Sequence, residues 1–236
     1  AASDVYKRQL MPGMVKNHKH ALRVNKSPMM KEIRKIINDA GVIVLSDAWL
    51  AGGFVSKKNC ITSPDTVKGQ VFRAAGKAFN QMLAAAGAGI QKMPSSEIYN
   101  GLQTGVLTGA NTSSGSFVSY RIYEQVKCAT PPGKFGLWFM YEPILMSKKS
   151  FDSLNKKQQK ALMAAGKVAE KYMTKEAAGL DTTMEKAYKK AGVKLAYMTQ
   201  KDFDAWLAIA KKSSYKNFAE KVPGGQKLID QALAVK

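Results

Sequence analysis

The sequence predicts an α/β fold, and three observations carry that prediction. Short apolar runs alternate with segments of helical spacing, and glycines stand where those helices should stop. Hydrophobic residues make up 45% of the chain against 23% charged, enough for a packed core. The 236 residues leave room for one large domain or two small ones. No run of about 18 apolar residues is free of charge, so no membrane-spanning helix is predicted.

Residues 1–9 have no periodicity and do not lead into the segment after them. They read as a leader unrelated to the fold, on a chain truncated at its N-terminus. Ser27 and Pro28 then mark a helix start, as N-cap and first helical position. Met29, Met30, Ile33, Ile36 and Ile37 keep helical spacing, and Gly41 ends it. The continuous run Val42–Leu45 suits a buried parallel strand. Residues 51–60, with Gly52 and Gly53, lose periodicity.

A second α/β stretch begins at Pro64. Val71-Phe72 reads as a strand, and Ala78, Phe79, Met82 and Leu83 form one helical face stopped by Gly87. Ile90 opens another strand, and Pro94 to Glu97 start a helix through Leu102. Val106-Leu107 is strand-like, whereas Thr108–Ser116 is rich in Gly, Ser, Thr and Asn and reads as a loop before a helix reaching Tyr123. Val126–Ala129 and Leu137–Met146 supply the next strands. After Leu154, helical spacing and helix formers continue to about Lys190. A helix of that length spans roughly 50 Å, so it bridges two lobes or breaks near Gly179. Gly192 ends it, a strand follows at Val193–Leu195, and Thr199 with Asp202 forms a capping box for a last helix through Phe203 and Trp206.

The charge is strongly positive: 37 Lys+Arg against 17 Asp+Glu, a net +20. The excess is spread along the chain. Residues 1–50 carry 9 basic and 4 acidic side chains, 51–140 carry 9 and 3, and 141–236 carry 19 and 10. A nucleic-acid module concentrates its charge and interleaves it with stacking aromatics, so no nucleic-acid partner is predicted. Most lysines fall on polar helix faces, where the field speeds capture of anions or favours an anionic membrane surface.

Catalytic and metal chemistry is not evident. His18 and His20 are the only histidines, and without a Cys or carboxylate cluster beside them they read as surface residues. There is no nucleophile elbow and no Walker loop, and Gly87-Ala88-Gly89 lacks a dinucleotide fingerprint's third glycine. No enzyme activity, metal or cofactor is predicted. Cys60 and Cys128 are a disulfide if the protein is exported, or two buried thiols otherwise.

One basic residue stands apart. Arg73 ends the Val71-Phe72 strand and is followed by Ala74-Ala75-Gly76. A charge at the carboxyl end of a strand in an open α/β sheet points into the crevice where ligands bind. Guanidinium suits a carboxylate, because it offers two parallel donors and stays ionised. The alternative is a surface arginine over a helix N-terminus.

Four ordered motifs resemble one family. Lys68-Gly69-Gln70-Val71-Phe72-Arg73 resembles the "Lys-Gly-x-x-x-Arg" strand of TRAP transporter solute-binding proteins of the DctP type. Ser96-Glu97-Ile98-Tyr99-Asn100-Gly101-Leu102-Gln103-Thr104-Gly105 resembles their "Ser-Glu-x-Tyr-x-Ala-Leu-Gln-Thr-Gly" segment. Tyr123–Lys127 and Pro143–Lys148 follow in the same order.

The resemblance implies a two-lobed periplasmic binding protein with a long helix bridging both lobes. It would take up a small carboxylate and hand it to the membrane permease subunits of a TRAP transporter. In this reading residues 10–50 are the remainder of an incomplete first lobe and residues 51–138 the second lobe. Residues 139–236 supply the return strand, the bridging helix and elements packing on both lobes. Arg73 falls on the arginine that pairs with the ligand's carboxylate in that family. Sialic acid is not the expected ligand: Gly53 falls where sialic-acid binders carry a second arginine, Ser95 on their stacking aromatic, and Asn111-Thr112 on their Glu-Asn pair. Asn111, Thr112 and Ser113 are expected to bond ligand oxygens, with Trp138, Phe139, Tyr141 and Glu142 shaping the pocket and Trp49 at the crossover between the lobes. A rival reading is the bilobal ligand-binding domain of a regulatory sensor, which would need a fused DNA-binding or membrane segment.

Overall fold

The computed structural model describes residues 11–235; the segment 1–9, with its leader-like composition, lies outside them. Its centre is strand β2 (Trp49–Ser56), buried along almost its whole length. The sequence pattern over residues 51–60 is irregular, yet Ala51–Ser56 belong to this strand. The glycines that break the pattern are what allow it. A Cβ on Gly52 would stand 2.1 Å from the Thr112 carbonyl oxygen, and one on Gly53 2.0 Å from that of Thr130. Glycine here marks close backbone approach rather than a turn.

Around β2 stand β3 (Val71–Arg73), β4 (Gly89–Gln91), β5 (Gly109–Ser113), β6 (Cys128–Thr130), β7 (Trp138–Tyr141) and β9 (Lys194–Leu195). They form a seven-stranded sheet of order β4-β3-β5-β2-β6-β9, with β7 on the N-terminal half of β2. The sheet is mixed rather than parallel. β3 runs parallel to β4 and β5, and β6 to β9, but β2 is antiparallel to β5, β6 and β7. Strand β5 occupies a segment whose composition predicts a loop, and the strand-like Val106-Leu107 precede it. Its small residues serve packing: a Cβ on Gly109 would meet the Phe72 ring at 2.4 Å.

Helices cover both faces. Phe54 and Val55, adjacent on β2, point to opposite sides and belong to separate hydrophobic clusters. On one side Phe54 stacks on Trp206 at 5.9 Å between ring centres, with α3 (Gly76–Ala85) and α8 (Gln200–Ala210) around it. On the other, Val55 meets α4 (Ile98–Gln103), α5 (Ser114–Ser119) and the end of α7 (Lys156–Lys190). The helix expected to reach Tyr123 stops at Ser119; Arg121 follows in the left-handed region and pairs with Glu124 at the surface. A disulfide joins Cys60 to Cys128 across 68 residues, which decides between the two readings of the cysteines.

A second, smaller unit is the antiparallel ribbon of β1 (Val42–Ser46) and β8 (Ile144–Ser147). The run Val42–Leu45, expected as a buried parallel strand, is antiparallel and only half-buried. Helices α1 (His18–Val24), α2 (Pro28–Asp39) and α6 (Lys148–Asp152) lie before or beside it. Helix α2 has the predicted caps: Ser27 accepts from the Met30 N–H, Pro28 opens the first turn, and Gly41 takes a φ of +85°.

Helix α7 joins ribbon and sheet. It runs 35 residues without a break at Gly179, started by a reciprocal capping box between Asn155 and Gln158. Gly166 lets it cross β1 closely, since a Cβ there would sit 1.8 Å from the Leu45 carbonyl oxygen. At its far end the Tyr188 hydroxyl donates to the Phe117 carbonyl. The histidines expected at the surface are both tied in. His18 bonds Asp181 of α7 at 2.9 Å, and His20 is buried against the Val235 carbonyl at 2.9 Å.

Candidate functional site

A cleft of about 520 Å³ opens where β3 and β5 end and the chain turns into helices. Arg73 stands at its base, half-buried. Its Nε donates to the Met93 carbonyl at 3.0 Å and its Nη1 to the Asn111 carbonyl at 2.9 Å. Of the five guanidinium N–H groups these bonds use two. Among the described residues no carboxylate pairs with it. Burial holds Arg73 below the ordinary arginine value, the mark of a cation short of compensating charge.

The turn after Arg73 adds donors. Asn111 Oδ1 accepts from the Ala75 N–H at 2.7 Å and holds the turn in place. Helix α3 then starts at Gly76 with no side-chain cap, and Gly76, Lys77 and Ala78 line the cleft. Uncapped first-turn N–H groups carry the positive end of the helix dipole. On β5, Thr112 and Ser113 line the cleft, and Ser113 caps α5 by accepting from the Ser116 N–H at 3.2 Å. Opposite stand Leu50, Trp138, Met140 and Glu142. The Trp138 indole N–H is buried without a partner among the described residues. Desolvation raises the Glu142 carboxyl above its usual value.

Of the residues singled out in the sequence, Arg73, Thr112, Ser113, Trp138 and Glu142 line this cleft. Asn111 lies fully buried beneath it, supporting Arg73 and Ala75. Phe139, Tyr141 and Trp49 are not in its wall. Side chains alternate along a strand, so when Trp138 and Met140 face the cleft, Phe139 and Tyr141 face the core. Phe139 meets the His18 ring edge-on at 5.3 Å, and Tyr141 packs on Trp49 at 5.1 Å and donates to Asp47. Trp49 donates to Asn25 Oδ1 at 2.7 Å, while its neighbour Leu50 reaches the cleft. Sequence reasoning missed Leu50, Met140, Ser116 and the start of α3. Strict period-two reading from Trp138 would have found Met140; the uncapped helix start had no such signal.

Among the described residues no group of three His, Cys, Asp or Glu is placed to hold a metal. Among the described residues, no helix is long and apolar enough to cross a membrane.

Residues 4–221 match the family described as bacterial extracellular solute-binding protein, family 7. A solute-binding protein of Albidiferax ferrireducens is 34% identical over 220 residues, which are 93% of this chain and 65% of that protein. The chain thus spans about two thirds of that relative's length. A TRAP periplasmic solute-binding protein from Rhodoferax ferrireducens, crystallised with bound malonate, superposes with a TM-score of 0.91 at 34% identity, covering 97% of this chain and 72% of that one. A further one, from Chromohalobacter salexigens with bound D-glucuronate, has a TM-score of 0.86 at 22% identity, covering 100% and 76%. This likeness extends to the two-lobed architecture and its long helix.

Proposed function

The chain belongs to the bacterial extracellular solute-binding proteins of family 7, and on that premise we propose that it captures a small organic acid in the Arg73 cleft. In this reading it works in the periplasm and passes the acid to the membrane permease of a TRAP-type transporter. Residues 51–138 form the second lobe and supply most of the cleft wall. Helix α7 joins them to the first-lobe remainder in residues 10–50.

The observation that carries the reading is the state of Arg73. A half-buried cation with unused donors, no carboxylate partner among the described residues and an uncapped helix start beside it calls for an anion. A carboxylate satisfies the guanidinium through two parallel bonds, and its charge complements the dipole of α3. Trp138, Leu50 and Met140 give the acid's carbon skeleton an apolar wall. The Cys60–Cys128 disulfide suits an oxidising compartment.

Malonate is the first acid to test. At about 100 times its dissociation constant a ligand stabilises its protein by about 2.7 kcal/mol, a shift of several degrees in melting temperature. Arg73→Ala is expected to lose at least about tenfold in affinity. Arg73→Lys keeps the charge but loses the fork, and should weaken binding too. Wild-type affinity in both variants would refute the role of Arg73.

A further inference from the structure

The solvent face of α7 carries a stripe of lysines. Lys160, Lys167, Lys171, Lys175, Lys186 and Lys189 are all exposed. At 100° per residue they fall within an arc of roughly 100°. Gly166, Ala177, Met184 and Tyr188, the buried residues of the helix, lie on the other side. Of the four acidic residues of α7, only Glu185 falls within this arc, where it bonds Tyr197, and exposed Glu176 lies outside it. Glu170 accepts from Asn25, and Asp181 is engaged by His18 and Ser114. Among the described residues, none of these lysines is in an ion pair. At the edge of the same arc stand Val168 and Tyr172, 69% and 63% exposed, the two most exposed large apolar side chains in the described chain.

We propose that this face of α7 seats on an anionic lipid surface. A continuous helix of about 50 Å lays its lysines along a plane of lipid headgroups, where each ammonium gains from the surface potential. The aliphatic stems and the Tyr172 ring suit the headgroup layer. Val168 gains from acyl chains and nothing from phosphates, which favours a bilayer over a nucleic-acid duplex. The capture cleft has no lining residue on α7, so surface attachment leaves it open.

The test is co-sedimentation with vesicles of phosphatidylglycerol and phosphatidylcholine, against phosphatidylcholine alone, at low and high salt. Wild type is expected to sediment only with the anionic vesicles, and to be released by salt. K167Q/K171Q/K175Q should lose binding at least tenfold. K211Q/K212Q/K216Q, with the same change in net charge on the C-terminal helices, should retain it. V168S/Y172S should bind more weakly than wild type with the lysines intact. All these side chains except Lys211, Lys212 and Lys216 lie on α7, all are exposed, and circular dichroism checks that the variants fold. No binding by wild type, equal loss in the two lysine variants, or tighter binding to duplex DNA than to anionic vesicles would overturn the proposal.

Discussion

The strands β1 and β2 invert the usual link between apolarity and burial. β1 is Val-Ile-Val-Leu-Ser, yet its first four residues are only half-buried, and its partner β8 leaves Ile144 and Leu145 44% and 46% exposed. β2 contains two adjacent glycines and is almost wholly buried. The difference lies in neighbours. β2 pairs with three strands and has a hydrophobic cluster on each face; β1 pairs with one strand, with an irregular register between Val44 and Ser46. A two-stranded ribbon alone is marginal in water, so the ribbon borrows its order from α7 crossing at Gly166 and from Arg34 of α2, which bonds Asp47. The cleft is lined entirely from the seven-stranded sheet, its connections and β2's own length. The cleft and the weaker unit are therefore built from separate parts of the chain.

Two glycine substitutions break this comparison most strongly. Gly53→Ala drives a Cβ against the Thr130 backbone at the crossing of three strands. It should cost more than about 4 kcal/mol, in the range of the most damaging point changes, and abolish cooperative urea unfolding. Gly166→Ala drives α7 off β1 instead. It should cost roughly 1–3 kcal/mol and leave the sheet's unfolding cooperative, while proteolysis around residues 42–47 accelerates. Equal damage from both would mean that ribbon and sheet are one unit.

Removing the disulfide sharpens the same contrast. Closing a loop of 68 residues stabilises by about 4 kcal/mol through the unfolded chain. C60S/C128S should lower the urea midpoint accordingly, with the loss confined to the sheet. A smaller effect comes from His20, which anchors α1 to the C-terminal end. Its Nδ1 accepts from the Lys16 N–H and its Nε2 donates to the Val235 carbonyl, so it is neutral as bonded. Burial lowers its pKa. The unfolded chain therefore binds the proton more readily. The stability His20 contributes is complete above about pH 6.5 and is lost as pH falls through the lowered folded value. Urea midpoints at acid and neutral pH should differ less in His20→Gln than in wild type.

The elements legible in the sequence were those whose local chemistry agrees with their tertiary role. Ser27, Pro28 and Gly41 bracket α2, Thr199 with Asp202 opens α8, and Arg73 ends β3 beside the cleft. Strands β2 and β5 were hidden because close packing against Phe72, Thr112 and Thr130 demands glycine and small polar residues, which resemble a loop in one dimension. Trp49, Phe139 and Tyr141 are aromatics on β2 and β7 beside the cleft-lining residues. Only strand phase separates them from Leu50, Trp138 and Met140, and phase needs the registers of β2 and β7.

Hydrogen exchange of the intact chain with and without malonate tests most directly whether the sheet alone holds the binding site. Protection is predicted at residues 73–78, 111–116 and 138–142, with the β1–β8 amides exchanging at the same rate in both states. Protection confined to the ribbon, or none at saturating malonate, would contradict it.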